Sequence, residues 1–486
     1  MKAPRLMVSA AHKSSGKTTV SLGLCAALRE RGLAVQPFKK GPDYIDPMWL
    51  AAASGRDCFN LDPYLSERAE IVAAFAARAA GADISIVEGN KGLYDGLALD
   101  GSNSNAALAR MLGLPVLLVL DAQGMTRGIA PLILGYQAFD RHIRIAGVVL
   151  NKLGGSRHEA KLRAVIEHYT DVPVLGALAC EDGLALTERH LGLTPGRELD
   201  DAAERIGHIG RRVAAQVDLQ RVLELAASAR PLRRPRAAAG VAAAEPTRWV
   251  EPVRIAIAQD RAFGFYYPDD LAALRAAGAE LVPIDTLHDA NLPPVDGLFI
   301  GGGFPEMFMQ ALEANASLRA EIAAAIEAGL PTHAECGGLM YLARSLTWQG
   351  RSCSMVGAIA GDVTVHERPV GRGYVQLQPT TRHPWPPAPG SAAEGLLRGH
   401  EFHYSSLDNL APGARFAYRV LRGHGIDGHH DGLVHRNLLA TYAHLRSAGG
   451  AGWPARFVAF VRAVKASSAR PAARRAASAR EPVMAC

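Results

Sequence analysis

Cysteine is scarce in this chain, and nowhere does it take the spacing that metal sites use. Six cysteines stand among 486 residues and no two form Cys-x-x-Cys, which argues against a zinc ribbon or a disulfide framework and suits a reducing cytosol. Long apolar runs are missing as well: no stretch of about 18 residues is free of charge, so no transmembrane helix is expected. The first apolar run, Leu6-Met7-Val8, is too short for a signal-peptide core. Solenoid-type repeats are absent. A strong charge bias is lacking too. The balance of 53 basic and 47 acidic residues leaves +6, and much of that excess sits in two Arg/Ala/Pro-rich segments, which read as a solvated linker and tail. No nucleic-acid partner is expected.

What remains is a chain with 49% apolar residues, enough to bury full cores in two or three domains. Short β-rich runs at 6–9, 34–38, 84–88, 116–120, 145–150 and 174–177 alternate with helical patterns at 18–31, 68–80, 105–112, 128–140 and 158–168. Such alternation predicts a mostly parallel sheet flanked by helices, with ligands beyond the carboxyl ends of the strands. A domain over 1–225 is followed by a linker at 226–252. A second α/β pattern covers 253–466 and is richer in strands and turns over 356–443. A disordered tail is expected at 467–486.

The stretch Ala11-His-Lys-Ser-Ser-Gly-Lys-Thr-Thr19 follows the first strand and opens the first helix. A loop of this kind holds a nucleotide phosphate: backbone N–H groups around Ser15 and Gly16 face the anion at a helix N-terminus. Lys17 supplies a point charge, and the hydroxyl of Thr18 can hold Mg²⁺, with Thr19 behind it. The first glycine of the usual pattern is Ala11 here, so a chance match is the alternative. The loop Lys39-Lys-Gly-Pro-Asp43-Tyr-Ile-Asp46-Pro47 follows the second strand. Its lysines suit an anion, and Asp43 and Asp46 suit Mg²⁺ or the orienting of a nucleophile. The third strand ends at Glu88-Gly89, a carboxylate at a strand tip, as metal–nucleotide binding requires. Asp95 is a weaker candidate on the same loop. Asn151-Lys152 resembles the dipeptide that many nucleotide-binding domains turn toward adenine.

In the second half, Leu330-Pro-Thr-His-Ala-Glu-Cys336-Gly337-Gly338 takes a strand directly into a helix. This tight turn exposes a thiol, and the helix N-terminus favours its thiolate. Gly301-Gly302-Gly303 ends another strand, and its N–H groups with that of Gly337 suit an oxyanion hole. Histidine candidates to move the proton lie in Thr441-Tyr-Ala-His444 and in Gly399-His-Glu-Phe-His403. His424, His429, His430 and His435 read as a solvated loop rather than a metal site.

Taken together, these motifs resemble the cobyrinate or hydrogenobyrinate a,c-diamide synthases of corrinoid biosynthesis. The resemblance runs to about residue 446. It is carried by Ser-Ser-Gly-Lys-Thr-Thr, Lys-Lys-Gly-Pro-Asp-Tyr-Ile-Asp-Pro, Val-Glu-Gly-x-x-Gly-Leu-Tyr-Asp-Gly, Gly-Gly-Gly-Phe-Pro-Glu, Ala-Glu-Cys-Gly-Gly-Leu-Met-Tyr-Leu, Gly-His-Glu-Phe-His-Tyr-Ser and Ala-Thr-Tyr-Ala-His-Leu. It implies an α/β chain: a P-loop domain of the dethiobiotin-synthetase type with a parallel sheet, then an α/β class I glutamine amidotransferase domain. It implies ATP, Mg²⁺, glutamine and a corrin acid as ligands, and leaves a homodimer open. By this resemblance Cys336 attacks glutamine with His444 as base. Ser15, Gly16, Lys17, Thr18, Thr19 and Asn151 bind nucleotide. Thr18, Asp43 and Glu88 serve metal; Asp43 and Asp46 serve the acyl phosphate; Lys40, Tyr44 and Asp95 bind substrate. Ammonia from Cys336 then displaces phosphate from an activated acetate. Arg446 stands two residues after His444, where triad amidotransferases commonly carry a carboxylate, so the third member is unassigned. The alternatives are a cobyric acid synthase-like enzyme and a partitioning ATPase. The latter usually carries lysine where His12 stands, and has no use for the elbow cysteine.

Overall fold

The computed structural model describes residues 3–181, 188–189, 192–194, 201–232, 251–385, 395–447 and 452–478. It separates into two compact units, Met1–Ala242 and Ala243–Cys486. The expected linker at 226–252 lies for the most part outside the described residues.

The first unit alternates β1 (Arg5–Ala10), α1 (Lys17–Glu30), β2 (Val35–Lys40), α2 (Ile45–Ser54), β3 (Phe59–Leu61), α3 (Arg68–Arg78), β4 (Ile84–Glu88) and α4 (Asn105–Leu112). It continues through β5 (Val116–Asp121), α5 (Ile129–Phe139), β6 (Ile145–Leu153), α6 (Ser156–Tyr169), β7 (Val174–Ala179), α7 (Ala202–Gln216) and α8 (Leu219–Ala227). Seven strands form one sheet in the order β3-β2-β4-β1-β5-β6-β7, and every pairing is parallel. All residues of β1, β2 and β4 are buried, because helices cover both faces of such a sheet. Its register sets Lys39 beside Glu88 at the carboxyl ends of β2 and β4.

One element departs from expectation. The segment read as a loop over 39–47 is divided: Lys39 and Lys40 end β2, and Ile45 begins α2. The Asp43 carboxylate accepts the N–H groups of Ile45 at 3.0 Å and Asp46 at 3.1 Å, and Pro47 sits in the first turn, where its missing donor costs nothing.

The second unit is built on a nine-stranded sheet. Five parallel strands lie at one side, in the order Ala279–Ile284, Val253–Ala258, Gly297–Ile300, Thr332–Glu335 and Leu438–Thr441. Four antiparallel strands extend it through His430–His435, Arg415–Arg422, Gly371–Pro379 and Leu397–His403. Thus much of the turn-rich stretch completes the same sheet, while Ile359–Val365 and Ser405–Asp408 within it belong to a separate four-stranded sheet. A last helix runs over Trp453–Ser478 and so passes through residues expected to be disordered. Alanine and arginine, which suggested low complexity, are also strong helix formers. Residues 479–486 lie outside the described ones.

Candidate active site

Cys336 sits where the buried strand Thr332–Glu335 turns into the helix Gly337–Leu342, with φ 48° and ψ −100°. A non-glycine residue in that conformation carries strain of about 1–3 kcal/mol. It is held there by its own N–H on the Thr441 carbonyl at 2.7 Å and by Met340 N–H on its carbonyl at 3.1 Å. The neighbouring strand Leu438–Thr441 runs parallel and delivers His444 just beyond its end. His444 hydrogen-bonds Cys336. Its Nδ1 lies 3.0 Å from Glu335 Oε2, which leaves Nε2 for the thiol.

Glu335 completes the line and is a residue that the sequence motifs did not single out. Its Oε1 lies 3.2 Å from His333 Nε2 and accepts Leu445 N–H at 3.3 Å. Burial alone would raise this carboxyl, but the His333 and His444 hydrogen bonds bring it down to about 2. Burial likewise would lower His444, yet its bonds to Cys336 and Glu335 lift it to about 10. The imidazole is therefore held in its protonated form at neutral pH. Arg446 is buried, stacked over Tyr267 at 4.6 Å and bonded to Asp269 at 2.7 Å.

The second histidine motif adds His400, stacked on His444 with ring centroids 5.0 Å apart. Burial and then the neighbouring His444 charge push it well down, so it is neutral. His403 bonds the Ser405 carbonyl at 2.8 Å and stacks on Tyr442. The glycine turn meets the elbow: a Cβ on Gly337 would lie 2.8 Å from the Gly303 nitrogen, and one on Gly302 would lie 2.7 Å from His444 Cε1. Bare backbone is required at both positions. Of the four histidines read as a solvated loop, His430 and His435 are instead the two ends of a strand, where His430 pairs with Asp427 at 2.9 Å and His435 with Glu327.

In the first unit, Gly16 opens α1 with φ 89° and ψ 23°, and a Cβ there would fall 2.0 Å from Asn151 Nδ2. Asn151 donates to the Ser15 carbonyl at 2.9 Å, and Lys152 links the Ser14 carbonyl at 2.9 Å to Asp121 at 2.7 Å. The Asn-Lys pair therefore clamps the phosphate loop; the side chain expected at an adenine edge is engaged with backbone. Thr18 Oγ1 donates to Glu88 Oε1 at 2.7 Å.

Lys39 gathers the carboxylates. Its Nζ donates to Glu88 Oε1 at 2.9 Å and to Asp46, and lies 3.8 Å from Asp43. Lys40 points elsewhere, to Asn90 Oδ1 at 3.2 Å. Tyr44 stands at the start of α2, and Asp95 turns its Oδ2 onto Gly92 N–H at 2.8 Å.

A family model described as the CobB/CobQ-like glutamine amidotransferase domain matches residues 254–451, and one described as an AAA domain matches residues 4–186. The cobyrinate a,c-diamide synthase of Magnetococcus marinus is 47% identical, over 93% of this chain and 95% of its own length. The enzyme of the same name from Methanosarcina acetivorans is 42% identical over 91% and 92%, and that of Listeria innocua 38% over 91% and 96%. The chain belongs to the cobyrinate a,c-diamide synthase family.

For a member of that family, the electrostatics of the first unit show what its residues lack by themselves. Lys39 is buried, which opposes its charge, but Asp46, Glu88 and Asp43 hold it protonated. Burial raises Asp43 to about 7, with the Asp46 charge adding to it. Burial also raises Glu88, and Glu88 Oε2 has no hydrogen-bond partner. Among the described residues no three His, Cys, Asp or Glu side chains form a ready cage for a cation. One orphaned carboxylate oxygen beside a threonine hydroxyl fits Mg²⁺, which binds through one or two protein oxygens and takes the rest from phosphate and water. Lys17 is buried too; burial and then Lys39 lower it. Among the described residues no helix is long and apolar enough to cross a membrane.

Proposed function

We propose that the chain amidates the a and c acetate carboxylates of cobyrinic or hydrogenobyrinic acid, using ATP and glutamine, in cobalamin biosynthesis. The observation that supports this reading most is the pairing, in one chain, of a Glu335–His444–Cys336 line with a phosphate loop beside which Glu88, Asp43 and Asp46 surround Lys39. The thiolate of Cys336 attacks the glutamine side-chain amide. N–H groups of Gly302, Gly303 and Gly337 receive the developing oxyanion. His444, already protonated, gives its proton to the leaving nitrogen, and Glu335 holds the ring so that Nε2 faces the sulfur. Water then releases glutamate.

In the first unit, Ser15, Gly16, Lys17, Thr18 and Thr19 hold the ATP phosphates. Thr18 and Glu88 would hold Mg²⁺, which supplies charge neutralisation on the phosphates. Asp43 and Asp46, steadied by Lys39, position the corrin acetate, which takes the γ-phosphoryl group. Ammonia then displaces phosphate. Housing both sites in one chain matters because free ammonia is mostly protonated at neutral pH, and ammonium is no nucleophile.

The test is mass spectrometry of products after incubation with ATP, glutamine and either cobyrinic or hydrogenobyrinic acid. Two added amides are expected. No product there, with amidation of an already diamidated corrin, would instead indicate a cobyric acid synthase.

Replacing Glu335 by Gln removes the charge that holds His444 and keeps the shape. Glutamine-dependent kcat should fall roughly 10²-fold with little change in KM for glutamine. Stability should follow in sign. Glu335, depressed from 4.5 to about 2, contributes above pH 4.5 and loses that contribution as pH falls through 2. His444, raised from 6.5 to about 10, contributes below pH 6.5 and loses it as pH rises through 10. Denaturant midpoints of wild type and E335Q should therefore differ most between pH 4.5 and 6.5, converge toward pH 2, and narrow toward pH 10 to the part that Glu335 keeps. A difference that does not change with pH would show a packing role only.

A further inference from the structure

Helix α5 reads Ile-Ala-Pro-Leu-Ile-Leu-Gly-Tyr-Gln-Ala-Phe, yet only Ile129, Ala130 and Ile133 are buried. A helix apolar on most sides normally lies inside a protein. Here Leu134 is 42% and Phe139 76% exposed, and on the loop after β4 Leu97 is 51% and Leu99 fully exposed. Phe139 and the leucine loop are joined through Tyr94, whereas Leu134 lies on another face of the helix. Phe139 packs on Tyr94 with centroids 4.7 Å apart, and Tyr94 on Tyr136 at 5.3 Å. Leu97 is three residues beyond Tyr94 and so within roughly 11 Å of it. The leucine loop is built rather than loose: Leu97 N–H is held by Asn103 Oδ1 at 2.7 Å, and Ser102 N–H by Asp100 at 2.9 Å.

The region is continuous with the phosphate loop. Tyr136 hydroxyl donates to the Ala11 carbonyl at 2.6 Å, and Leu93 N–H to the Ala10 carbonyl at 2.8 Å. Exposed Lys13 and Lys91 stand on the two loops that meet there. An apolar, aromatic surface with lysines at its edge, beside a carboxylate-activating site, complements one kind of molecule well: a broad apolar macrocycle carrying acidic side chains around its rim. Resting on the substrate reading above, we infer that Leu97, Leu99 and Phe139 form the platform on which the face of the corrin lies, with Lys13 and Lys91 meeting its peripheral carboxylates. The acetate to be activated then hangs over the edge at Ala11 toward Lys17.

The experiment is equilibrium dialysis of cobyrinic acid against the full chain, read by the absorbance of the corrin, alongside steady-state kinetics and sedimentation. In the double variant L99S/F139S, both positions being exposed, the Kd and KM for the corrin should rise roughly 10- to 100-fold. KM values for ATP and glutamine, and glutaminase turnover, should stay within about twofold. K91Q should weaken corrin binding and flatten its dependence on salt. An unchanged corrin Kd in the double variant overturns the platform. So does a variant that sediments as a smaller species with its corrin affinity intact, because the patch would then be a contact between copies of the chain. The two readings fail separately. Wild type that binds the corrin without amidating it removes the proposed reaction and leaves the platform standing. Wild type that amidates it, with variants of normal affinity, does the reverse.

Discussion

Cys336→Ser should abolish amidation driven by glutamine, by roughly 10³-fold or more, while amidation driven by added ammonium chloride continues at wild-type rate. The serine hydroxyl at the elbow keeps the turn but is a far weaker nucleophile than a cysteine sulfur. Nothing in the first unit depends on the sulfur, so ATP, corrin and free ammonia should still combine. Parallel assays with glutamine and with ammonium chloride at pH 8 or above, where more of the ammonia is unprotonated, check this. Persistence of both activities would remove Cys336 from the reaction. Loss of both would mean that the substitution disturbs more than the amide donor.

Glu88→Gln is the complementary experiment. Glu88 holds the Thr18 hydroxyl, receives Lys39 and keeps one oxygen unpartnered in a buried site. Its amide replaces the charge without changing the volume. Amidation should fall roughly 10²- to 10³-fold with either nitrogen donor, because positioning and charge neutralisation are most of what an enzyme supplies to phosphoryl transfer. Half-saturation by Mg²⁺ should move to higher concentration, whereas glutamine hydrolysis at Cys336 should survive. Normal ammonia-dependent amidation in E88Q would sever the link between this carboxylate and the nucleotide.

Much of both sites is legible in the sequence where backbone geometry limits the choice of residue. Gly16 must bear a positive φ under Asn151, and Gly302 and Gly337 leave no room for a side chain, so these glycines announce their turns. Long-range partners are less visible. Lys39 and Lys40 are neighbours in sequence, but the alternation of a β-strand sends them to different sides; only the parallel register beside Glu88 shows that Lys39 is the one among the carboxylates. Asn151 is 136 positions from the carbonyl it holds. Glu335 is the instructive omission. A glutamate closing a buried apolar strand stood out at Glu88, and Glu335 has the same character one residue before the thiol. A template that places the acid after the histidine draws attention to Arg446, whose guanidinium pairs with Asp269.

The placement of Glu335 and Cys336 in consecutive positions has a mechanical consequence. All three groups of the line hang from the ends of two adjacent parallel strands, Thr332–Glu335 and Leu438–Thr441, near the middle of the nine-stranded sheet. Their spacing is thus fixed by main-chain hydrogen bonding rather than by the lie of a surface loop. Opening or fraying at the sheet margins leaves that spacing untouched, and the nucleophile keeps its alignment until the central pair of strands itself comes apart.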